Sequence, residues 1–437
     1  MARLFGTDGV RGTYGDDLTD ALARSLGYAS ASVLGNGSAK PRVLIGRDTR
    51  ASGPALERAL AAGLSSANGE AVSVGVFPTA GVAFLVCATG ADAGAVISAS
   101  HNPARDNGIK FFGSDGMKLP DETEDRIATS MIDVEDALVS VEELADAEDR
   151  YVDFLLRDVP SLHGLRMVVD CANGAASNIA PEVYRLAGAE VHSLFADPDG
   201  TNINDHCGST HPELLQQAVS ETGAHIGIAH DGDADRCIAI DEHGRVVDGD
   251  QILGICASDM HARGALAKPS VVATVMSNLG FRRAMAAHGF EVVETQVGDR
   301  YVLQAMIERD ISIGGEQSGH IVFRDRHTTG DGILTALQLL GVVARTGSGL
   351  SELASRFPRY PQILRNVSVR DKAGLDAATG VWDEVRAVES RLGDGGRVLV
   401  RPSGTEPLIR VMVEATTVDD AMSAVDRIAR AVADTLG

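Results

Sequence analysis

Short apolar runs at residues 43–45, 72–76, 95–98, 166–169, 226–229 and 271–275 alternate with helix-like stretches along most of this 437-residue chain. Several of the runs stop at small or polar residues: Gly46-Arg47-Asp48, Asp170-Cys171-Ala172-Asn173-Gly174 and Met276-Ser277-Asn278. That alternation dictates α/β units with mixed or parallel sheets. In such units ligands bind outside the carboxyl ends of the strands, so chemistry is expected where the apolar runs end. The units echo one another only weakly, without a strict repeat. The acidic segment 133–149 reads as a connection between a first and a second domain, and a second boundary falls near Gly249-Asp250-Gln251.

The C-terminal part has another character. Trp382, Val385, Val388 and Leu392 recur at helical spacing, and Gly393 can cap that helix. Residues 398–400 read as a strand. Over residues 409–415, Ile409, Val411, Val413 and Ala415 alternate onto one face, and Thr417 can N-cap a final helix that starts with Asp419 and Asp420. This predicts a small α+β domain with one sheet face packed on helices.

Composition limits the function. Hydrophobic residues make up 44% and charged residues 23%, as in an ordinary folded protein, and the length allows two to four domains. The net charge of −22 argues against nucleic-acid and membrane partners. The five cysteines are scattered, odd in number and without a C-x-x-C pair, which suits a reducing compartment with neither a disulfide framework nor a zinc site. The N-terminus carries Asp8 and Arg11 before any apolar run, so a signal peptide is not expected. Residues 71–91 lack charge but contain Pro78, Gly75, Gly81 and Gly90, which predicts a buried strand, a turn at 77–79 and a short helix rather than a membrane span. The expected location is the cytoplasm.

Four loops carry the candidate chemistry. In Asp231-Gly232-Asp233-Ala234-Asp235-Arg236 three carboxylates stand at alternate positions after an apolar run. Such crowding costs roughly several kcal/mol unless a cation neutralises it, and oxygen ligands suit a hard ion such as Mg2+. A calcium loop starts the same way, but its sixth position needs Gly where Arg236 stands. In Ile97-Ser98-Ala99-Ser100-His101-Asn102-Pro103 a serine ends a buried strand in a turn whose N–H groups can hold phosphoryl oxygens. Beyond it, Lys110 is flanked by apolar residues, which is expected to lower its pKa toward proton transfer. Gly314-Gly315-Glu316-Gln317-Ser318-Gly319-His320 offers a carboxylate, an amide, a hydroxyl and an imidazole for sugar hydroxyls. Arg401-Pro402-Ser403-Gly404-Thr405-Glu406-Pro407, with Arg410 beyond, composes a phosphate cradle. Two further basic loops, at 5–12 with Arg11 and at 46–50 with Arg47 and Arg50, supply positive charge for an anionic ligand within an acidic chain. Taken singly, each loop also fits an ordinary turn.

Together, and in this order, ISASHNP, DGDADR, GEQSGH and RPSGTEP resemble the α-D-phosphohexomutase superfamily over nearly the whole chain. The opening FGTDGVRG, the segment 202–213 (NINDHCGSTHPE) and Gln317 are similar to the branch acting on glucosamine phosphates; relatives acting on mannose or glucose phosphates tend to carry Met at the Gln317 position.

The resemblance implies four domains around a central cleft, three α/β and one small α+β, at 1–148, 149–250, 251–362 and 363–437. It implies Mg2+-dependent interconversion of glucosamine 6-phosphate and glucosamine 1-phosphate, feeding UDP-N-acetylglucosamine and cell-wall precursor synthesis. The reaction would run through a phosphoserine at Ser100 and a 1,6-bisphosphate, which also serves as activator. Asp231, Asp233 and Asp235 would hold one Mg2+, together with a phosphoryl oxygen on Ser100. Lys110, His101, His320 and Arg11 would complete the catalytic set. Arg236, Glu316 and Ser318 would bind the sugar phosphate, and Arg401, Ser403, Gly404, Thr405 and Arg410 the phosphate that does not react. Ala234 stands where relatives often have Gly. A homodimer through the first domain is a further implication. The rival readings are a sister mutase for glucose or mannose phosphates, a Mg2+-dependent phosphatase and a non-catalytic sugar-phosphate sensor.

Overall fold

A computed structural model describes residues 3–6, 8–35, 40–403 and 407–437. Four sheets follow one another along the chain. The first contains β1 (Val10–Thr13), β2 (Arg42–Arg47), β3 (Glu70–Val76), β4 (Ala93–Ile97), β5 (Asp106–Gly113) and β6 (Glu142–Glu143), in the order β1-β5-β4-β2-β3-β6. The second contains β7 (Arg166–Asp170), β8 (Glu190–Leu194), β9 (Ile226–Ala229), β10 (Ile238–Ile240) and β11 (Val246–Val247), in the order β11-β10-β9-β7-β8. The third, β13-β12-β14-β15, is built from β12 (Ser270–Thr274), β13 (Glu291–Thr295), β14 (Ile313–Gly315) and β15 (Ile321–Phe323). The fourth, β16-β18-β17, joins β16 (Gln362–Ser368), β17 (Gly396–Pro402) and β18 (Leu408–Ala415), all antiparallel. The expected α/β class with mixed sheets and a small C-terminal domain is what the chain adopts.

The first three sheets share a plan. In each, a strand parallel to a neighbour turns back as one edge of an antiparallel pair: β4 lies parallel to β2 and antiparallel to β5. Likewise β9 lies between β7 and β10, and β14 between β12 and β15. The loops at these three reversals are those of Ser100, Asp231 and Glu316. The weak echo between the units thus becomes a shared topological position for the chemistry.

The uncharged stretch 71–91 folds into all of β3 but its first residue, a turn and the helix Thr79–Thr89. Among the described residues no helix is long and apolar enough to cross a membrane. The acidic segment 133–149 is more than a connection: β6 adds to the edge of the first sheet beside β3, and a helix starts at Ala147.

By its internal contacts the chain divides into one unit of residues 1–276 and 290–356 and a second of 277–289 and 357–437. In the second unit the helices Thr379–Leu392 and Val418–Leu436 bury an apolar core with Ile409, Val411 and Val413 of β18. Thr417 caps the last helix by accepting from Asp420 N. The alternation of β18 foretold that face only. On its other face Met412 and Glu414 are buried as well. Glu414 accepts from the backbone N–H of Leu279 at 2.9 Å and pairs with Arg397 at 3.0 Å. The helix Leu279–Ala287, which lies between β12 and β13 in sequence, therefore packs in the C-terminal unit.

Candidate active site

Ser100 follows β4 and Asp231 follows β9, and the Ser100 hydroxyl donates to Asp231 Oδ2 at 2.6 Å. The three aspartates lie on one short turn, all buried, with one ligand oxygen of each within 4.8 Å of the others. Thr79 Oγ1 and Lys110 Nζ donate to Asp233 Oδ2 at 2.6 and 2.7 Å. Arg236 N donates to Asp231 Oδ1 at 3.2 Å. Asp233 Oδ1 and Asp235 Oδ1 are buried without a hydrogen-bond partner. Burial and the neighbouring Asp235 and Asp233 push the Asp231 pKa up, the mark of too much negative charge in one place. Orphaned oxygens and mutual repulsion are both relieved by a cation, so this donor set fits a metal ion.

A chain of alternating charge links Asp233 to Asp235 the long way round. Lys110 Nζ lies 3.9 Å from Asp8 Oδ2. Asp8 also pairs with Lys118 and with Arg11. Lys118 Nζ lies 2.6 Å from Asp299 Oδ2. His320 Nε2 is 3.6 Å from Asp299 Oδ2, and its Nδ1 is 3.4 Å from Asp235 Oδ2. Burial disfavours a charged His320, but Asp235 and Asp299 push its pKa up to about 9. The Gly330 N–H, 3.2 Å from Nε2, fits only the neutral ring, where Nε2 accepts and the remaining proton sits on Nδ1, toward Asp235.

The expected lowering of the Lys110 pKa is overturned. Burial does act in that direction, but the carboxylates of Asp233, Asp8 and Asp235 outweigh it and raise the pKa, so Lys110 stays charged. His101 goes the other way: burial and the guanidinium groups of Arg236 and Arg11 bring it down to about 4. Its Nδ1 lies 3.2 Å from Ser100 Oγ, so a neutral imidazole stands beside the serine.

Glu316 Oε1 accepts from Gly298 N at 3.0 Å, and Ser318 Oγ is 3.5 Å from Oε2. This loop meets the aspartate turn through the backbone, where Cys237 N donates to Gly319 O at 3.0 Å. Gly319 has φ +94°, and a Cβ there would lie 2.3 Å from the Cys237 carbonyl oxygen, so only glycine fits. Gln317 Nε2 donates to Asp248 Oδ2 at 3.2 Å.

In the C-terminal unit Arg401 and Arg410 are directly opposite across β17 and β18, which puts two guanidinium groups on one face. Ser403 N donates to Leu408 O at 2.9 Å and begins the loop. Gly404 and Thr405 lie outside the described residues.

The basic loop 46–50 does not present free charge to a ligand. Arg47 pairs with Glu57 at 2.9 Å, and Arg50 pairs with Asp48 where both side chains are fully buried. A buried guanidinium must be neutralised from within, and here the chain does it itself. Sequence reasoning did not single out Lys118, Asp299 or Thr79. Asp299 opens the helix that follows β13, and Thr79 opens the one that follows β3, so both stand just past strand ends, which was the available signal; Lys118 gave none.

Four segments of the chain match one family, phosphoglucomutase/phosphomannomutase: residues 2–137 match its alpha/beta/alpha domain I, 149–244 domain II, 248–360 domain III and 364–431 its C-terminal domain. A phosphoglucosamine mutase of Saccharopolyspora erythraea is 54% identical over 441 residues, covering 99% of each chain. One from Desulforamulus reducens is 51% identical over 441 residues, again 99% of each. Among solved structures, a phosphoglucomutase/phosphomannomutase family protein of Burkholderia thailandensis superimposes with a TM-score of 0.82 at 27% identity, covering 100% of this chain and 98% of that one. With four family domains in order and relatives matching from end to end, the chain belongs to the phosphoglucomutase/phosphomannomutase family, in its phosphoglucosamine mutase branch.

Proposed function

We propose that the chain is a Mg2+-dependent phosphoglucosamine mutase that interconverts glucosamine 6-phosphate and glucosamine 1-phosphate through a phosphoserine at Ser100. The observation that carries the reading is Ser100 Oγ held on Asp231, inside a buried triad that calls for a cation. The full-length relatives supply the substrate.

In this reading the phosphoryl group leaves Ser100 Oγ for the free sugar hydroxyl and a 1,6-bisphosphate forms. The sugar hydroxyl gives up its proton, the P–O bond to Ser100 breaks, a new one forms to the sugar oxygen, and Ser100 Oγ takes up a proton in its place. After the intermediate turns around, the other phosphoryl group returns to Ser100. Bound at Asp231, Asp233 and Asp235, a Mg2+ ion supplies positive charge against the transferring group. Lys110 and Arg236 add fixed positive charge, and Arg11 is held beside them by Asp8. The neutral His101 is within reach of a proton at Ser100 Oγ, and His320 can exchange one with the sugar. Glu316 and Ser318 take the sugar hydroxyls. Arg401, Ser403, Gly404, Thr405 and Arg410 take the phosphate that is not reacting. Four domains at 1–148, 149–250, 251–362 and 363–437, a homodimer, cytoplasmic action and activation by a trace of glucosamine 1,6-bisphosphate complete the proposal.

The test is an initial-rate comparison with Mg2+ and a trace of bisphosphate sugar. A large preference in kcat/KM for glucosamine 1-phosphate over glucose 1-phosphate is expected. The reverse preference would transfer the chain to the sister mutases, and release of free phosphate faster than isomer formation would make it a phosphatase.

A further inference from the structure

Ser100 has φ +50°, a left-handed conformation that a residue other than glycine holds only when its surroundings impose it. The constraint comes from both sides of the residue. Its N–H donates to Ser98 Oγ at 2.9 Å, and Ser98 Oγ donates in turn to Asp48. Its carbonyl oxygen accepts from Asn204 Nδ2 at 2.8 Å and from Arg50 Nη2 at 3.2 Å. The same two donors reach the Asn102 carbonyl, at 3.0 and 2.5 Å. Two side chains thus clamp two carbonyls on either side of His101.

Arg50 is fixed by its buried pair with Asp48, within the first sheet's own segment. Asn204 arrives from the second, on the loop after β8, anchored by its N–H on Ala172 O at 2.9 Å. The aspartate turn leaves room for it: a Cβ on Gly232 would lie 2.5 Å from the Ser100 carbonyl oxygen and 2.8 Å from Asn204 Nδ2. One amide therefore ties the serine loop to the second sheet at the point where the aspartate turn passes closest.

We infer that Asn204 and Arg50 are positioning residues for phosphoryl transfer, clamping the carbonyls of Ser100 and Asn102 so that Ser100 Oγ stays aimed at the acidic triad. The inference rests on the reading of Ser100 as the phosphoryl carrier. In-line transfer depends on placement, and a misplacement of about 1 Å can cost about 10²-fold. Neither residue has to touch the sugar for its loss to be felt.

Asn204→Gly is the cleanest probe. Asn204 has φ +58°, which glycine adopts freely, so the substitution removes the amide without straining the backbone. In the full-length protein with Mg2+, kcat is expected to fall by about 10- to 100-fold with KM and the thermal midpoint little changed. Transfer from phosphorylated Ser100 to sugar in a single turnover should slow by the same factor. Asn204→Asp, which sets a carboxylate against two carbonyl oxygens, should fall further. Normal kcat in Asn204→Gly with phosphate present on Ser100 would overturn the inference alone, as would a lowered midpoint with unchanged kcat. If mass analysis finds no phosphate on Ser100 in the turning-over wild type, the carrier reading fails and takes the inference with it.

Discussion

Ser100 Oγ donates to Asp231 Oδ2 at 2.6 Å across 131 residues of sequence. Each residue stands where a strand parallel to one neighbour turns back antiparallel to the next. Two sheets therefore deliver a serine hydroxyl and a carboxylate to one point by the same topological step. Replacing Ser100 by Ala should leave the fold intact and lower turnover by about 10³-fold or more. A coupled assay, with intact-mass measurement of bound phosphate, checks it; near-normal turnover would remove Ser100 from the reaction.

Thr79 Oγ1 supports Asp233 from outside the triad. Chelation by EDTA should abolish activity and added Mg2+ restore it. Thr79→Val keeps the shape but drops the hydrogen bond, and should weaken Mg2+ half-saturation by about 10-fold or more with little change at saturating metal. Activity titrated against Mg2+ reads this, and an unchanged midpoint would mean that Asp233 needs no such support.

Lys118, only 14% exposed, lies between Asp8 and Asp299. Lys118→Met leaves two carboxylates without their shared cation and should cost about 3 kcal/mol in urea unfolding. Adding Asp299→Asn should recover part of that loss, because the two sites share one interaction. Simple additivity of the two substitutions would argue against the coupling.

His327 is buried, with Nε2 donating to Ala80 O at 3.0 Å and Nδ1 accepting from Thr328 N at 2.8 Å. Burial lowers its pKa to about 4. The unfolded chain binds this proton first as pH falls, so the stabilisation is complete above the ordinary histidine range and is lost progressively between about pH 6.5 and 4. Between pH 7 and pH 5 the share from His327 amounts to about 2 kcal/mol. Urea unfolding at the two pH values, with and without His327→Gln, should show a shallower pH dependence in the variant; parallel curves would rule the share out.

Arg401 and Arg410 face each other across β17 and β18. Arg401→Ala should raise KM and lower kcat together, by about 10-fold or more in kcat/KM, as loss of a charge-assisted phosphate contact does. Unchanged constants would count against this loop as the phosphate cradle.

Much of the architecture was legible because it is written in local pattern. Apolar runs bounded by small polar residues became strands, the Ala-rich stretch after Pro78 became a helix, and Thr417 capped the last helix as its spacing foretold. The acidic turn announced a cation through residue type and spacing alone. Packing decided the rest. Apolar neighbours along β5 suggested a weakened charge on Lys110, yet its environment is set by Asp233, 123 residues away, which raises the pKa. Arg50 looked like a ligand contact and is instead paired with Asp48 under the serine loop. The alternation of β18 described one buried face, while a helix from between β12 and β13 buries Glu414 on the other. Periodicity and residue type determine which elements form and which atoms they offer. Which charges meet, and hence which are neutral, paired or available to a substrate, depends on distances between segments far apart in the chain, and only the tertiary structure decides those.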